Sequence, residues 1–310
     1  MRMLIASSLE ALPSFSGAGV TIGNFDGVHI GHQTLVRRTL DICREDGLHC
    51  VLITFTPHPR SVLAPHRHVP LGSRARCMEL LAELGVKTVL ELSFTRELAN
   101  MSPEEFARRW LVPLSVRRLA VGYDFSLGKN RGGSFVVLRS LGLDLGFLVE
   151  QLPPVILDGA VVSSTRLRDM IGSGDVRRAA RLLGRFYGFS GEVTHGAGRG
   201  GGLGFSTANL TRPDVLLPAC GVYAAFLWVG TQRFKAVTNV GRRPTFGGGD
   251  VIVESFLPDA SENLYGQCVR LEFVARLRDE RHFDSAQALK QQIDRDVDTA
   301  RVLLESATLR

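Results

Sequence analysis

The stretch that most constrains this chain is VTIGNFDGVHIGH, Val20 to His32, which reads as a strand, a glycine-rich turn and the start of a helix. Val20, Thr21 and Ile22 are β-branched, whereas Leu35, Val36, Leu40 and Ile42 beyond the turn are spaced for one face of a helix. Gly23 and Gly27 remove side chains where a backbone must bend or a ligand must approach. The free N–H groups and positive dipole end of the following helix point back into that turn, which makes it a place for an anion. His29 and His32 are three apart, so if the helix has begun by then they share a face and can both hydrogen-bond one phosphate.

The N-terminal half continues as alternating strand and helix. CVLITF, Cys50 to Phe55, is apolar throughout, as a strand buried on both faces requires, and it runs into the turn TPHPR. A helix is expected from Ser73 to Leu84, then the strand KTVLEL, and SPEEF carries a capping-box pattern with Ser102, Pro103 and Glu105. RLAVG gives a further strand, YDFSLGKNRGGS a polar loop, VVLRSLG a helix and GFLVE a strand. This pattern predicts a parallel-sheet α/β domain of Rossmann-like type. His58 and Asp124 both follow the carboxyl ends of strands, where such sheets bind ligands; a solvated loop is the other reading of each. In VVSSTRLRDMI the hydroxyls of Ser163, Ser164 and Thr165 either cap a helix or, with Arg168 one turn on, form a second phosphate grip.

The helix DVRRAARLLG closes this domain at Gly184, and the pattern then changes to short strands: GEVTH, GVYAAFLWV, FKAVTNV, VIVESFL and CVRLEFVARL. Their spacing predicts a small antiparallel barrel. A long amphipathic helix from Ser285, with Leu289, Ile293, Val297, Ala300 and Leu304 on one side, is expected to cover it. The division is therefore 1–184 and 185–310. In HGAGRGGGLGFSTANL, the glycines suit main-chain contacts to phosphate, and Thr207 and Asn209 alternate in an extended segment so as to project to one side. Glu254 is either a carboxylate base or an outward strand residue opposed to Val253 and Ser255.

Composition excludes some classes. No apolar run reaches the ~18 residues a membrane span needs, and the start MRMLIASSLEAL lacks an export signal. The five cysteines, Cys43, Cys50, Cys77, Cys220 and Cys268, contain no CxxC pair, which argues against a zinc site or a disulfide framework and for a cytoplasmic location. A net charge of +6 suits an enzyme of phosphorylated substrates as well as a nucleic-acid binder, but the chain lacks the interleaved aromatics of a base-stacking surface. No nucleic-acid partner, no membrane and a monomer or weak oligomer are expected.

Taken whole, GNFDGVHIGH resembles the signature of HxGH nucleotidyltransferases, in the form found in bacterial bifunctional riboflavin kinase/FAD synthetases. Ser164, Thr165 and Arg168 resemble the family's SSTxxR motif, and GYDFSLGKNRGG its flavin-side loop. The run from His195 to Leu210 is similar to the kinase signature GxGRGxxLGFPTAN, and NVGRRPTF to that module's second motif. The chain departs from the pattern at Ser206, in place of proline, at Gly200 to Gly202, and at Arg242 and Arg243.

The resemblance implies an α/β nucleotidyltransferase domain followed by a β-barrel kinase domain. It implies two reactions: riboflavin and ATP give FMN, then FMN and a second ATP give FAD and pyrophosphate. It implies that Gly23, Phe25, Asp26, Gly27, Ser164 and Thr165 hold ATP, His58 and Asp124 lie on the FMN side, and His29, His32 and Arg168 act on phosphate. In the barrel it implies Gly198, Gly204, Thr207 and Asn209 for ATP and flavin, Thr207 with Mg2+, and Glu254 as the base. The alternative is a monofunctional FMN adenylyltransferase whose C-terminal module only binds flavin.

Overall fold

The structure is a computed structural model that describes residues 3–64, 68–194, 207–211, 213–242, 251–259 and 264–307. The chain forms two compact units, Met1–Pro70 with Arg74–Ser163, and Leu71–Ser73 with Ser164–Arg310. Each is described by itself.

The first unit is a parallel sheet of six strands: β1 (Leu4–Ala6), β2 (Ala18–Ile22), β3 (His49–Thr56), β4 (Thr88–Ser93), β5 (Val116–Val121) and β6 (Leu148–Gln151). The spatial order is β1-β4-β3-β2-β5-β6, with every pairing parallel. Successive residues of a strand enter different cores. Val51 and Ile53, Leu90 and Leu92, and Leu119 and Val121 join one cluster, while Leu52, Val89 and Ala120 join another. Both faces are covered, which is why these strands read as continuous apolar runs and not as alternating ones.

The helices of this unit are α1 (Ile30–Glu45), α2 (Pro59–Leu63), α3 (Arg74–Glu83), α4 (Arg96–Asn100), α5 (Pro103–Phe106) and α6 (Phe135–Leu145). At α5 both arms of the capping box are made, the Glu105 N–H donating to Ser102 Oγ at 3.1 Å and the Ser102 N–H to Glu105 Oε2 at 2.7 Å. A π-helical turn, Ala107–Leu111, follows it directly. The short strand β1 and the hairpin of β7 (Ile156–Leu157) and β8 (Ala160–Val161) carry no sequence pattern long enough to predict.

The second unit is built on a closed antiparallel barrel of β9 (Tyr187–Thr194), β10 (Thr207–Leu210), β11 (Gly221–Val229), β12 (Gln232–Arg242), β13 (Val251–Phe256) and β14 (Cys268–Arg278). The order around it is β10-β13-β12-β11-β14-β9, with β9 returning to β10. The first strand starts at Tyr187, ahead of the GEVTH segment. Among the described residues three helices belong to this unit: α7 (Ser164–Gly172), α8 (Val176–Leu183) and the C-terminal α9 (Ala286–Glu305). Because α8 lies on β14 and β9, and the Ala219 N–H donates to Ile171 O of α7, these helices cluster with the barrel although they precede Gly184.

Helix α9 covers the outside of the barrel, its Val297, Ala300 and Leu304 packing with Val222, Ala224, Phe226, Val237 and Val274. That cover explains why β11 is buried on both faces along most of its length. The helix is also tied by a buried ion pair. Arg278 on β14 donates through Nε and Nη2 to Asp296, at 3.0 and 2.7 Å, and Gln292 Nε2 donates to the same carboxylate at 2.9 Å.

Strands β9 and β14 approach so closely at Gly188 that a Cβ there would lie against the Leu271 carbonyl, a backbone group that cannot swing aside. Gly188→Ala is expected to destabilise the protein by about 1–3 kcal/mol or more. Chemical denaturation read by far-UV circular dichroism checks this; an unchanged midpoint would contradict the packing.

Candidate active sites

In the first unit the order of strands reverses at β2, which has β3 on one side and β5 on the other. Open parallel sheets bind ligands at the carboxyl ends of strands beside such a reversal. The three segments singled out by sequence all leave that edge of adjacent strands: GNFDGVHIGH from β2, TPHPR from β3 and GYDFSLGKNRGG from β5.

The turn after β2 is unusually wound. Phe25 (φ 48°), Gly27 (φ 79°) and Val28 (φ 40°) all have positive φ, a region that β-branched valine rarely enters. Its surroundings hold it there. Phe25 and Val28 are both 1% exposed in the core with Leu35 and Val36, the Val28 N–H donates to Phe25 O at 3.0 Å, and Gln33 Nε2 donates to Val28 O at 3.0 Å. The Phe25 ring is therefore committed to the core. Gly23 makes room for that ring, whose edge would lie 3.1 Å from a Cβ at this position.

His29 lies just outside α1, as its N-cap, and its Nδ1 accepts the His32 N–H at 3.2 Å. The two imidazoles stack with centroids 3.7 Å apart and planes at 15°, and the Phe25 ring meets His32 edge-on at 5.4 Å. A cap bond at Nδ1 puts the proton of a neutral His29 on Nε2, leaving that nitrogen as a donor. Gly31 is the residue between them that sequence reasoning passed over. A Cβ there would lie 3.2 Å from His29 Cε1 and Nδ1, so the glycine of HxGH gives the His29 ring its room beside His32.

Asp26 is buried, at 6% exposure, and beside it stand His58 and His68. His58 caps α2, its Nδ1 accepting the Arg60 N–H at 3.1 Å. Asp124 is exposed just ahead of the segment closed by the Leu127–Gly133 bridge, with Arg131 Nε donating to Ser126 Oγ at 2.7 Å and Nη2 to Asp124 O at 3.2 Å. Burial first, and then the Asp124 charge, push the neighbouring Tyr123 phenol up.

The second unit holds the other expected groups. Ser164 opens α7, Thr165 is exposed on its first turn, and Arg168 Nη1 donates to Ser164 O at 3.2 Å while Leu167 and Ile171 bury the opposite face. On the barrel, Asn209 of β10 pairs in register with Glu254 of β13, which pairs in turn with Asn239 of β12. Residues opposed in this way share a face, so a carboxylate stands between two carboxamides across three strands. Val253 and Ser255 point the other way, into the barrel, where Ser255 Oγ and Thr238 Oγ1 hydrogen-bond at 2.9 Å.

Thr207 and Asn209 share the Glu254 face of β10, with Ala208 and Leu210 buried behind them. Asn239 and Glu280 are additions to the expected set. A Cβ on Gly241, two residues beyond Asn239, would run into the Glu280 carboxylate and lie 3.0 Å from Asn239 Nδ2. Alternation in FKAVTNV puts Asn239 on a face, but only the register puts it beside Glu254. Gly198, Gly204, Ser206, Gly200 to Gly202 and Arg243 lie outside the described residues.

Gly31→Ala is expected to separate the stacked imidazoles while leaving the fold intact. The His29 and His32 ring signals in histidine-detected NMR should move together; unperturbed rings would show that Gly31 has no spacing role.

The family model for FAD synthetase matches residues 13–166 and that for riboflavin kinase residues 183–304. The chain is 38% identical to the bifunctional riboflavin kinase/FMN adenylyltransferase of Pseudomonas fluorescens and 36% identical to that of Haemophilus influenzae, covering 94% of this chain in both cases, and 94% and 95% of those proteins. A crystal structure titled macrolide-efflux protein, from Streptococcus pneumoniae, matches 97% of this chain and 99% of its own with a TM-score of 0.89 at 28% identity. Among the described residues no helix is long and apolar enough to cross a membrane. With both family models matched in one chain and near-complete coverage at 36–38% identity, the protein belongs to the bifunctional riboflavin kinase/FMN adenylyltransferase family.

Proposed function

We infer that this chain phosphorylates riboflavin to FMN with one ATP and adenylylates FMN to FAD with a second, releasing pyrophosphate. The observation that carries this reading is that the family models for the two activities match successive parts of one chain. Residues 1–184 are assigned to adenylyl transfer and residues 185–310 to the kinase step. All five cysteines are free, which favours a cytoplasmic location.

In adenylyl transfer a phosphate oxygen of FMN attacks the α-phosphorus of ATP, the bond to the β-phosphate oxygen breaks, and pyrophosphate leaves. Both groups are already anionic, so the protein's task is alignment and charge stabilisation. His29 donates from Nε2, with His32 stacked on it, at the N-terminal end of α1, where backbone N–H groups and the dipole favour phosphate. Gly23, Phe25, Asp26 and Gly27 supply the backbone of the turn, His58 and Asp124 the flavin side, and Ser164, Thr165 and Arg168 hydroxyls and a guanidinium for phosphate in the same reaction.

In the kinase step the 5′-hydroxyl of riboflavin attacks the γ-phosphorus of ATP and ADP leaves. An alcohol must lose its proton as it attacks, and Glu254 accepts it, with Asn209 and Asn239 paired to it on the neighbouring strands. Thr207 and Asn209 offer a hydroxyl and an amide oxygen on one face, hard donors that fit Mg2+ carried with ATP; the ion supplies neutralisation of phosphate charge. Gly198 and Gly204 are assigned to the same nucleotide and flavin.

Incubating the protein with riboflavin, ATP and Mg2+ and separating the flavins tests the whole reading: both FMN and FAD should accumulate, and a chain making FAD only from added FMN would be monofunctional. His29→Ala with His32→Ala should abolish conversion of FMN to FAD and leave riboflavin phosphorylation within about twofold, since only one reaction uses that turn. Glu254→Gln should lower riboflavin turnover on the order of 10²- to 10⁴-fold while FMN is still converted to FAD. Normal phosphorylation by the Gln variant would remove Glu254 as the base.

A further inference from the structure

At the turn after β2 a buried carboxylate meets two imidazoles from elsewhere in the chain. Asp26 and His68 side chains are each 6% exposed, and His68 Nε2 lies 3.6 Å from Asp26 Oδ2. The His58 ring stacks on that of His68, centroids 3.9 Å apart and planes at 18°. One ligand-capable atom from each of Asp26, His58 and His68 falls within 4.8 Å of the other two. This group contains no cysteine and draws on three separate segments.

We propose that Asp26, His58 and His68 form a binding site for one first-row divalent transition ion of the imidazole-preferring kind, Zn2+ being its representative. Two imidazoles and one carboxylate are the donor set of borderline ions, and they leave further coordination positions for water or an anion. Mg2+ is the wrong ion for it, because a small hard cation selects oxygen and keeps its waters. Metal–ligand bonds of about 2.0–2.2 Å bring neighbouring donors to roughly 3–3.6 Å of one another, so the group must contract by about 1 Å.

Side-chain rotation at three positions supplies that movement. His58 Nδ1 already accepts the Arg60 N–H, so ligation runs through Nε2, and the imidazole proton moves to Nδ1 at the expense of that cap bond. The loss falls on α2, a helix of five residues, and is small against a metal–nitrogen bond. An ion held this way ties the wound turn after β2 to the segments that follow β3. The site does not depend on either proposed reaction, because binding is measured without turnover.

The experiment uses the full chain, stripped with chelator and titrated with ZnCl2 by calorimetry and with CoCl2 by visible absorption. One equivalent of Zn2+ should bind, a millimolar excess of Mg2+ should not displace it, and Co2+ should give d–d bands that Zn2+ abolishes. His68→Ala should weaken Zn2+ binding by at least about tenfold and remove the rise in melting temperature that Zn2+ produces. Should His68→Ala fail to fold, X-ray absorption on the zinc-loaded wild type decides, with two imidazole nitrogens expected in the coordination sphere. Absence of stoichiometric binding, equal binding by the folded His68→Ala variant, equal competition by Mg2+, or sulfur ligation would each overturn the proposal.

Discussion

One hydrogen bond organises the first unit's functional edge: the His32 N–H donated to the ring of His29. It is a helix cap, so it does for α1 what a serine or aspartate does elsewhere, satisfying an orphan amide at the first turn. Because the acceptor is an imidazole nitrogen, the same bond selects the tautomer and fixes the ring plane. Starting the helix and preparing the donor are therefore one event. The wound backbone of Phe25, Gly27 and Val28 serves this arrangement, since it delivers the chain from the end of β2 into the cap within a few residues.

The barrel depends on a different kind of constraint. Its helix α9 is held by apolar contact with the outer wall and by the buried pair of Arg278 and Asp296. An ion pair taken out of water contributes little net stability over an apolar pair of equal volume, yet it is intolerant of losing one partner. It joins one point of the helix, Asp296, to one point of the wall, Arg278, whereas the apolar contact is spread along the stripe.

The sequence made the strands of the parallel sheet legible because both of its faces are buried, and apolar runs such as CVLITF have no other economical reading. The capping box at Ser102 and the strand-turn-helix at Val20 were legible because they are local. The grouping of α7 and α8 with the barrel was not, because their amphipathic pattern says that one face is covered and nothing about which sheet covers it. Asn239 escaped for the same reason, since its meaning comes from a register between two strands. Gly31 was in plain view, but a helical glycine shows its purpose only when the ring it accommodates is placed. His68 carried no signal at all, being ten positions from His58 in a stretch without periodicity.

The row Asn209, Glu254 and Asn239 has a consequence for how the barrel can fail. The position of the carboxylate between its two amides is set by the pairing of three strands. In a sheet, a slip of one residue turns every side chain to the opposite face, so a misregistered β13 would bury Glu254 and expose Val253 and Ser255. Such a barrel would be penalised twice, by a charge in its interior and by lost apolar contact, and would not persist. The Glu254 face is thus proofread by folding itself: a chain that closes this barrel has already set its carboxylate, and one that has not set it has no barrel to close.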